Sequence, residues 1–215
     1  MTKRIRYFLP FALMLVLAIG LVGCDIEEEE EEEEEPPPPT AGEISRALRQ
    51  TYEGRPDHLS EEEMEEALQE LRQTRAEYQG TPHGPEGIQR AVSELEEVVR
   101  RVYDLELWSW VVFGDKALKV LDPDHTRFNR MRERAEIQMR RPEVQITGFY
   151  EDHDTGQETV FMNVYLPEQN RSERVQVRPG EEFHGLRLRD IIGRNRGVEL
   201  EYLEANEIFE VMHRQ

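Results

Sequence analysis

Apolar positions along this chain follow three successive patterns. An unbroken apolar run covers residues 8–22. From residue 43 to 141 apolar residues recur every three or four positions, as on one face of an α-helix. From residue 143 the interval falls to two, the alternation of strands with one buried face. Residues 25–40 separate the first pattern from the second and carry one apolar residue besides proline, Ile26.

The middle region predicts helices with definite ends. Ser60 and Glu63 form a capping box, followed by a stripe of Met64, Leu68, Leu71 and Tyr78. The turn residues Thr81-Pro82-His83-Gly84-Pro85 end that helix. A second helix places Ile88, Val92, Leu95, Val99 and Val102 at spacings of four and three, a coiled-coil-like seam about two heptads long. The two stripes predict an antiparallel helical hairpin, with a short self-association helix as the alternative. The run from Leu105 to Phe113, with Trp108 and Trp110, is expected in the core, because outside it would form a large exposed patch. A membrane- or partner-facing patch is the other reading. Asp122 and Pro123 read as the N-cap and first residue of a further helix. Phe128, Met131, Ala135 and Met139 form its stripe, Arg140 and Arg141 suit its C-terminal dipole, and Pro142 ends it.

The last third predicts a small β-domain. Val144 and Ile146 alternate with polar neighbours, and Asp154-Thr155-Gly156-Gln157 turns into a strand over 159–166. A turn at 167–170 leads to a strand over 174–177. Arg178-Pro179-Gly180-Glu181 then fits a type II turn, proline second and glycine third. Strands at 186–192, 198–202 and 208–212 complete the set. The expected fold class is α+β: a helical region with a hairpin plus a further helix, then a small antiparallel barrel or sandwich. The organisation expected is a leader at 1–23, a disordered tether at 24–42, a helical region at 43–141 and a β-domain at 142–215. So small a β-domain has a marginal core and would gain from packing on the helices or on a partner.

The first 24 residues carry an address. Lys3, Arg4 and Arg6 precede the apolar run, and small residues precede a candidate cut site, the build of a secretory signal. The run is shorter than the ~20 residues of an untilted membrane-spanning helix. Leu21-Val22-Gly23-Cys24 resembles the lipobox of bacterial lipoproteins. The resemblance implies diacylglyceryl transfer to the Cys24 thiol and cleavage just before it, so that Cys24 is the lipidation site and first mature residue. Cys24 is the only cysteine, so no intramolecular disulfide can form. An uncleaved signal anchor with a chance cysteine is the alternative. Asp25, directly after the cysteine, resembles the inner-membrane retention signal of many Gram-negative lipoproteins.

Asp25 and the glutamates at 27–35 place ten negative charges in eleven residues, and prolines fill 36–39. Self-repulsion and polyproline II stiffness predict a disordered spacer, with metal or cationic-partner binding by the glutamates as the alternative. Stretched, residues 25–42 reach roughly 55–60 Å. The formal charge of the chain is −19; without the three basic leader residues it is −22, and without the acidic run residues 36–215 carry −12. Such a body is unsuited to phosphate backbones, so nucleic acid is not expected as a partner.

The stretch from Val175 through Val177-Arg178-Pro179-Gly180-Glu181 to Leu188, with Asp190-Ile191-Ile192 and Val198-Glu199-Leu200, is similar to PilP-type pilus lipoproteins. The periplasmic homology region of the type II secretion C component has the same pattern. The resemblance covers about residues 144–213 and implies a β-domain that docks onto envelope components without catalysis.

Candidate chemistry is sparse. Asp152-His153-Asp154 is the nearest approach to a metal-ligand cluster, but consecutive residues point in different directions and the rest of an EF-hand loop is missing. Asp122, Asp124 and His125 are explained by capping, and His184 and His213 have no matching partners in sequence. No GxSxG, HExxH, CxxC or Walker-type motif occurs. Asn170-Arg171-Ser172 is formally a glycosylation acceptor and reads as a turn. The expectation is therefore a non-enzymatic envelope lipoprotein without cofactor or metal, held to the membrane by lipid on Cys24 and meeting a protein partner through the β-domain. The alternative is a periplasmic ligand-binding or sensor lipoprotein with a pocket between helices and sheet near Trp108 and Trp110.

Overall fold

The computed structural model describes residues 36–193 and 196–213. The chain divides into two units, Met1–Pro36 and Pro37–Gln215. The leader, Cys24 and the acidic run lie outside the described residues. Within the second unit, helices α1 (Ala41–Gln50), α2 (Glu61–Tyr78), α3 (Gly84–Asp104), α4 (Trp108–Leu121) and α5 (Asn129–Arg140) precede all the strands. The fold is α+β.

Two helices begin at reciprocal caps. The Ser60 hydroxyl accepts from the Glu63 N–H, and the Glu63 carboxylate accepts from the Ser60 N–H at 2.8 Å. Thr40 and Glu43 repeat the arrangement at the start of α1. Each cap satisfies backbone donors that the helix leaves unpaired and contributes about 1 kcal/mol.

Helix pairing departs from the expected hairpin. α3 packs on α1 and α4, while α2 packs mainly on α4. Two glycines account for this. A Cβ on Gly87 would lie 2.6 Å from the Cβ of Ile44 in α1, and one on Gly114 of α4 would lie 2.3 Å from Val99 Cγ2. The backbones on either side of α3 therefore come closer than any side chain would permit. α2 buries only Met64, Ala67, Leu68 and Leu71, a narrow stripe. α4 buries nine of its fourteen residues and so presents the larger apolar surface to α3.

The apolar run divides. Val111, Val112 and Phe113 are buried, Trp108 and Trp110 are half-buried, and Leu105 is 62% exposed. Asp122 is not the N-cap of the next helix. It closes α4 with its N–H donating to Leu118 O at 2.7 Å, and its carboxylate accepts from the Asp124 N–H. α5 begins seven residues later, at Asn129, without a side-chain cap. Burial of His125 and Phe128 draws the intervening segment into the core as turns. Phe128, just before α5, and Ala135 on it are buried as expected, but Met139 is exposed and Gln138 takes the buried place beside it.

The strands are β1 (Glu143–Glu151), β2 (Glu158–Leu166), β3 (Arg171–Val177), β4 (Glu182–Phe183), β5 (Leu186–Ile192), β6 (Gly197–Tyr202) and β7 (Glu207–Met212). They form two antiparallel sheets, β1-β2-β3 and β4-β5-β6-β7. Inward residues of both sheets, including Val160, Met162, Leu188 and Leu200, build one apolar cluster separate from that of the helices. Among the described residues no hydrogen-bonded ladder joins the sheets, so these strands do not form a closed barrel. Gly180 has φ +90° and Glu181 N–H donates to Arg178 O at 3.1 Å, the geometry of a type II turn.

Candidate functional site

The C-terminal turn of α5 fastens the helices to the sheets. Gln138 donates to Glu207, Arg140 pairs with Glu204, and the Arg141 guanidinium lies 4.8 Å from the Phe209 ring centre. Tyr202 directs its hydroxyl to Ile137 O and Glu204. Burial, followed by the hydrogen bond to Glu204, raises the Tyr202 hydroxyl well above its ordinary value. Sequence reasoning placed Arg140 and Arg141 at the helix end but missed these contacts. Gln138 looks like a surface residue by type, and the pairs Gln138–Glu207 and Tyr202–Ile137 each join residues more than sixty positions apart.

Beside this junction a cleft of about 340 Å³ is lined in part by His58, Leu59, Trp108, Met139, Arg141 and Tyr165. Trp108 meets Tyr103 edge-on at 5.7 Å. Trp110 is committed elsewhere: its indole N–H donates to Pro56 O at 2.8 Å and its ring meets Phe113. Of the two tryptophans in the expected pocket, only Trp108 lines this cleft.

A second opening lies between the sheets. β1 and β7 are neighbouring edge strands, each bonded to its own sheet on one side only. Between them is a cleft of about 570 Å³ lined by Glu143, Val144, Gln145, Glu210, Val211 and Met212. On the sheets' outer faces Tyr150, Ile208 and Met212 are each at least half exposed.

Two titratable clusters link the helical elements. Asp115 is fully buried on α4; Lys119 Nζ lies 2.7 Å away and Arg132 Nε 3.1 Å away, the latter at an angle that makes a charge contact rather than a hydrogen bond. Its Oδ1 has no hydrogen-bond partner among the described residues. Glu96 on α3 receives His125, Arg100 and Arg127. Burial opposes ionisation of Glu96, but the His125 hydrogen bond and the two guanidinium groups outweigh it and hold the carboxyl below the usual range.

The remaining candidates do not converge. Asp152 accepts from the N–H groups of Asp154 and Thr155, which lower its pKa, and His153 is exposed beside it. His184 pairs with Glu173 at 3.2 Å, and His213 meets Phe149 edge-on. Asn170 sits in a turn at φ +45° and accepts from the Tyr165 hydroxyl. Among the described residues no group of three or more His, Cys, Asp or Glu is arranged to hold a metal, and no helix is long and apolar enough to cross a membrane. No protein-family model, curated protein or solved structure matches the chain.

Proposed function

We propose that this chain is a non-catalytic envelope lipoprotein, anchored through lipid on Cys24, that acts as a scaffold or docking component facing the periplasm. The observation that carries the reading is Leu21-Val22-Gly23-Cys24 at the end of an apolar leader with a basic start. The acidic and proline-rich stretch after it supports a spacer role, since like charges and prolines keep a chain extended. The body is an acidic surface unsuited to nucleic acid. Its two sheets, a sandwich left open along the β1–β7 side, offer unpaired strand edges to a protein partner. Similarity to PilP-type domains makes a pilus- or secretion-type assembly the setting, and Asp25 favours the inner membrane. The reading requires neither cofactor nor metal.

The Trp108 cleft favours a second reading, a ligand-binding or sensor lipoprotein, because apolar, aromatic and charged groups converge there at a junction between folded layers. Crosslinking in the native host distinguishes the two. The docking reading expects a stable protein adduct that disappears when residues 143–213 are deleted. Adducts that survive the deletion, with small-molecule protection of Trp108 fluorescence, would favour the sensor.

A further inference from the structure

We propose that the cleft between β1 and β7 takes an extended segment of a partner protein in which lysine or arginine alternates with aliphatic residues, added as a strand. The inference deepens the docking reading and rests on it for the role of the β-domain.

An edge strand turns alternate N–H and C=O groups away from its sheet, a ready template for another strand. β1 is bonded only to β2 and β7 only to β6, and among the described residues no backbone hydrogen bond links β1 to β7. Exposed edges are commonly blunted by lysine or proline. β7, Glu-Ile-Phe-Glu-Val-Met, has neither, and its charges Glu207 and Glu210, like the bulge in β1 after Ile146, leave the 143–145 and 210–212 edges open to a cationic strand.

The lining specifies the occupant because strand residues alternate between faces. On β1, Val144 is half-buried while its neighbours Glu143 and Gln145 are exposed. On β7, Val211 is half-buried and Glu210 and Met212 are exposed. A strand laid along the cleft thus places one set of side chains against Val144 and Val211. The other set lies beside Glu143 and Glu210, with Met212 able to cover the stem of a lysine. Aliphatic residues suit the first set and cations the second. A second copy pairing through its own β1 or β7 edge fits poorly. It would bring Glu143 or Glu210 against more glutamate, and like charges directly opposite are destabilising.

The test uses the purified full-length chain and a fluorescein-labelled octapeptide of alternating lysine and valine. A fully N-methylated version of equal charge is the control, since it meets the acidic run equally but cannot pair as a strand. Anisotropy at physiological salt is expected to show binding at least tenfold tighter for the unmethylated peptide. The double variant Glu143→Lys/Glu210→Lys should lower it to the control level, and Glu143→Gln/Glu210→Gln should fall between. Amide exchange should slow at 143–145 and 210–212 on peptide addition. Equal binding of the two peptides would overturn the proposal. So would unchanged binding by a charge-reversed protein whose circular dichroism and urea midpoint match the parent. Slowed exchange at these edges that follows protein concentration alone would assign the cleft to a second copy. None of these results depends on lipid attachment or on adducts in the host, so the proposed function can fail or stand separately.

Discussion

Gly114 is where α4 touches α3, and adding one methyl there tests the packing account. In Gly114→Ala the new Cβ would lie 2.3 Å from Val99 Cγ2, against 3.4 Å or more for ordinary contact. The two helices must separate by about 1 Å, or Val99 must leave its place in a fully buried site. Overpacking of this kind costs about 1–3 kcal/mol. Alanine recovers roughly 1 kcal/mol as the better helix former, leaving a net loss of about 0–2 kcal/mol. Val99→Ala alone should cost about 2 kcal/mol through lost burial and a cavity. In that background Gly114→Ala meets no methyl and should stabilise by about 1 kcal/mol, a coupling of about 2 kcal/mol in the double-mutant cycle. Urea unfolding followed by tryptophan fluorescence, with unchanged slopes, gives the four values. Additive effects would refute the claim that this close approach sets the α3–α4 pairing.

Asp115→Ala should destabilise by about 3 kcal/mol, the low end for breaking a buried pair, because Lys119 and Arg132 are partly exposed and keep Asn129 and Glu136 as partners. Urea midpoints check this, and a loss below about 1 kcal/mol would count the contact as incidental. Glu96 has its folded pKa lowered below the ordinary 4.5, so its contribution is complete above about pH 4.5 and is lost as pH falls through the folded value. Glu96→Gln should therefore flatten the acid limb of stability against pH below about 4.5, and an unaltered limb would contradict the assignment.

Local signals were legible in the sequence where the chemistry is local. The Ser60 cap, the Pro179-Gly180 turn and the period change at residue 143 each depend on a few adjacent residues, and each appears in the fold. The wrong expectations concern choices among partners. Stripes on α2 and α3 state that each helix has a face to bury but not against what, and the decision lies in Gly87 and Gly114, small residues that pattern reading passes over. Asp122-Pro123 satisfies the composition of a helix start, yet burial of His125 and Phe128 delays the helix to Asn129. Sheet closure was likewise unreadable, because strand alternation defines inner faces and not whether the two outermost edges meet. Trp108 lines a cleft beside the helix–sheet junction, whereas the Trp110 indole goes to Pro56 O through a contact no motif announces.

The account rests on Cys24, and the intact mass of the protein extracted from membranes of its host tests it most directly. A chain beginning at Cys24, carrying the added mass of a diacylglyceryl group and lost from the membrane fraction on Cys24→Ser, is the result expected. A chain that retains residues 1–23, or begins at Cys24 without added lipid and stays in the membrane after Cys24→Ser, would contradict it.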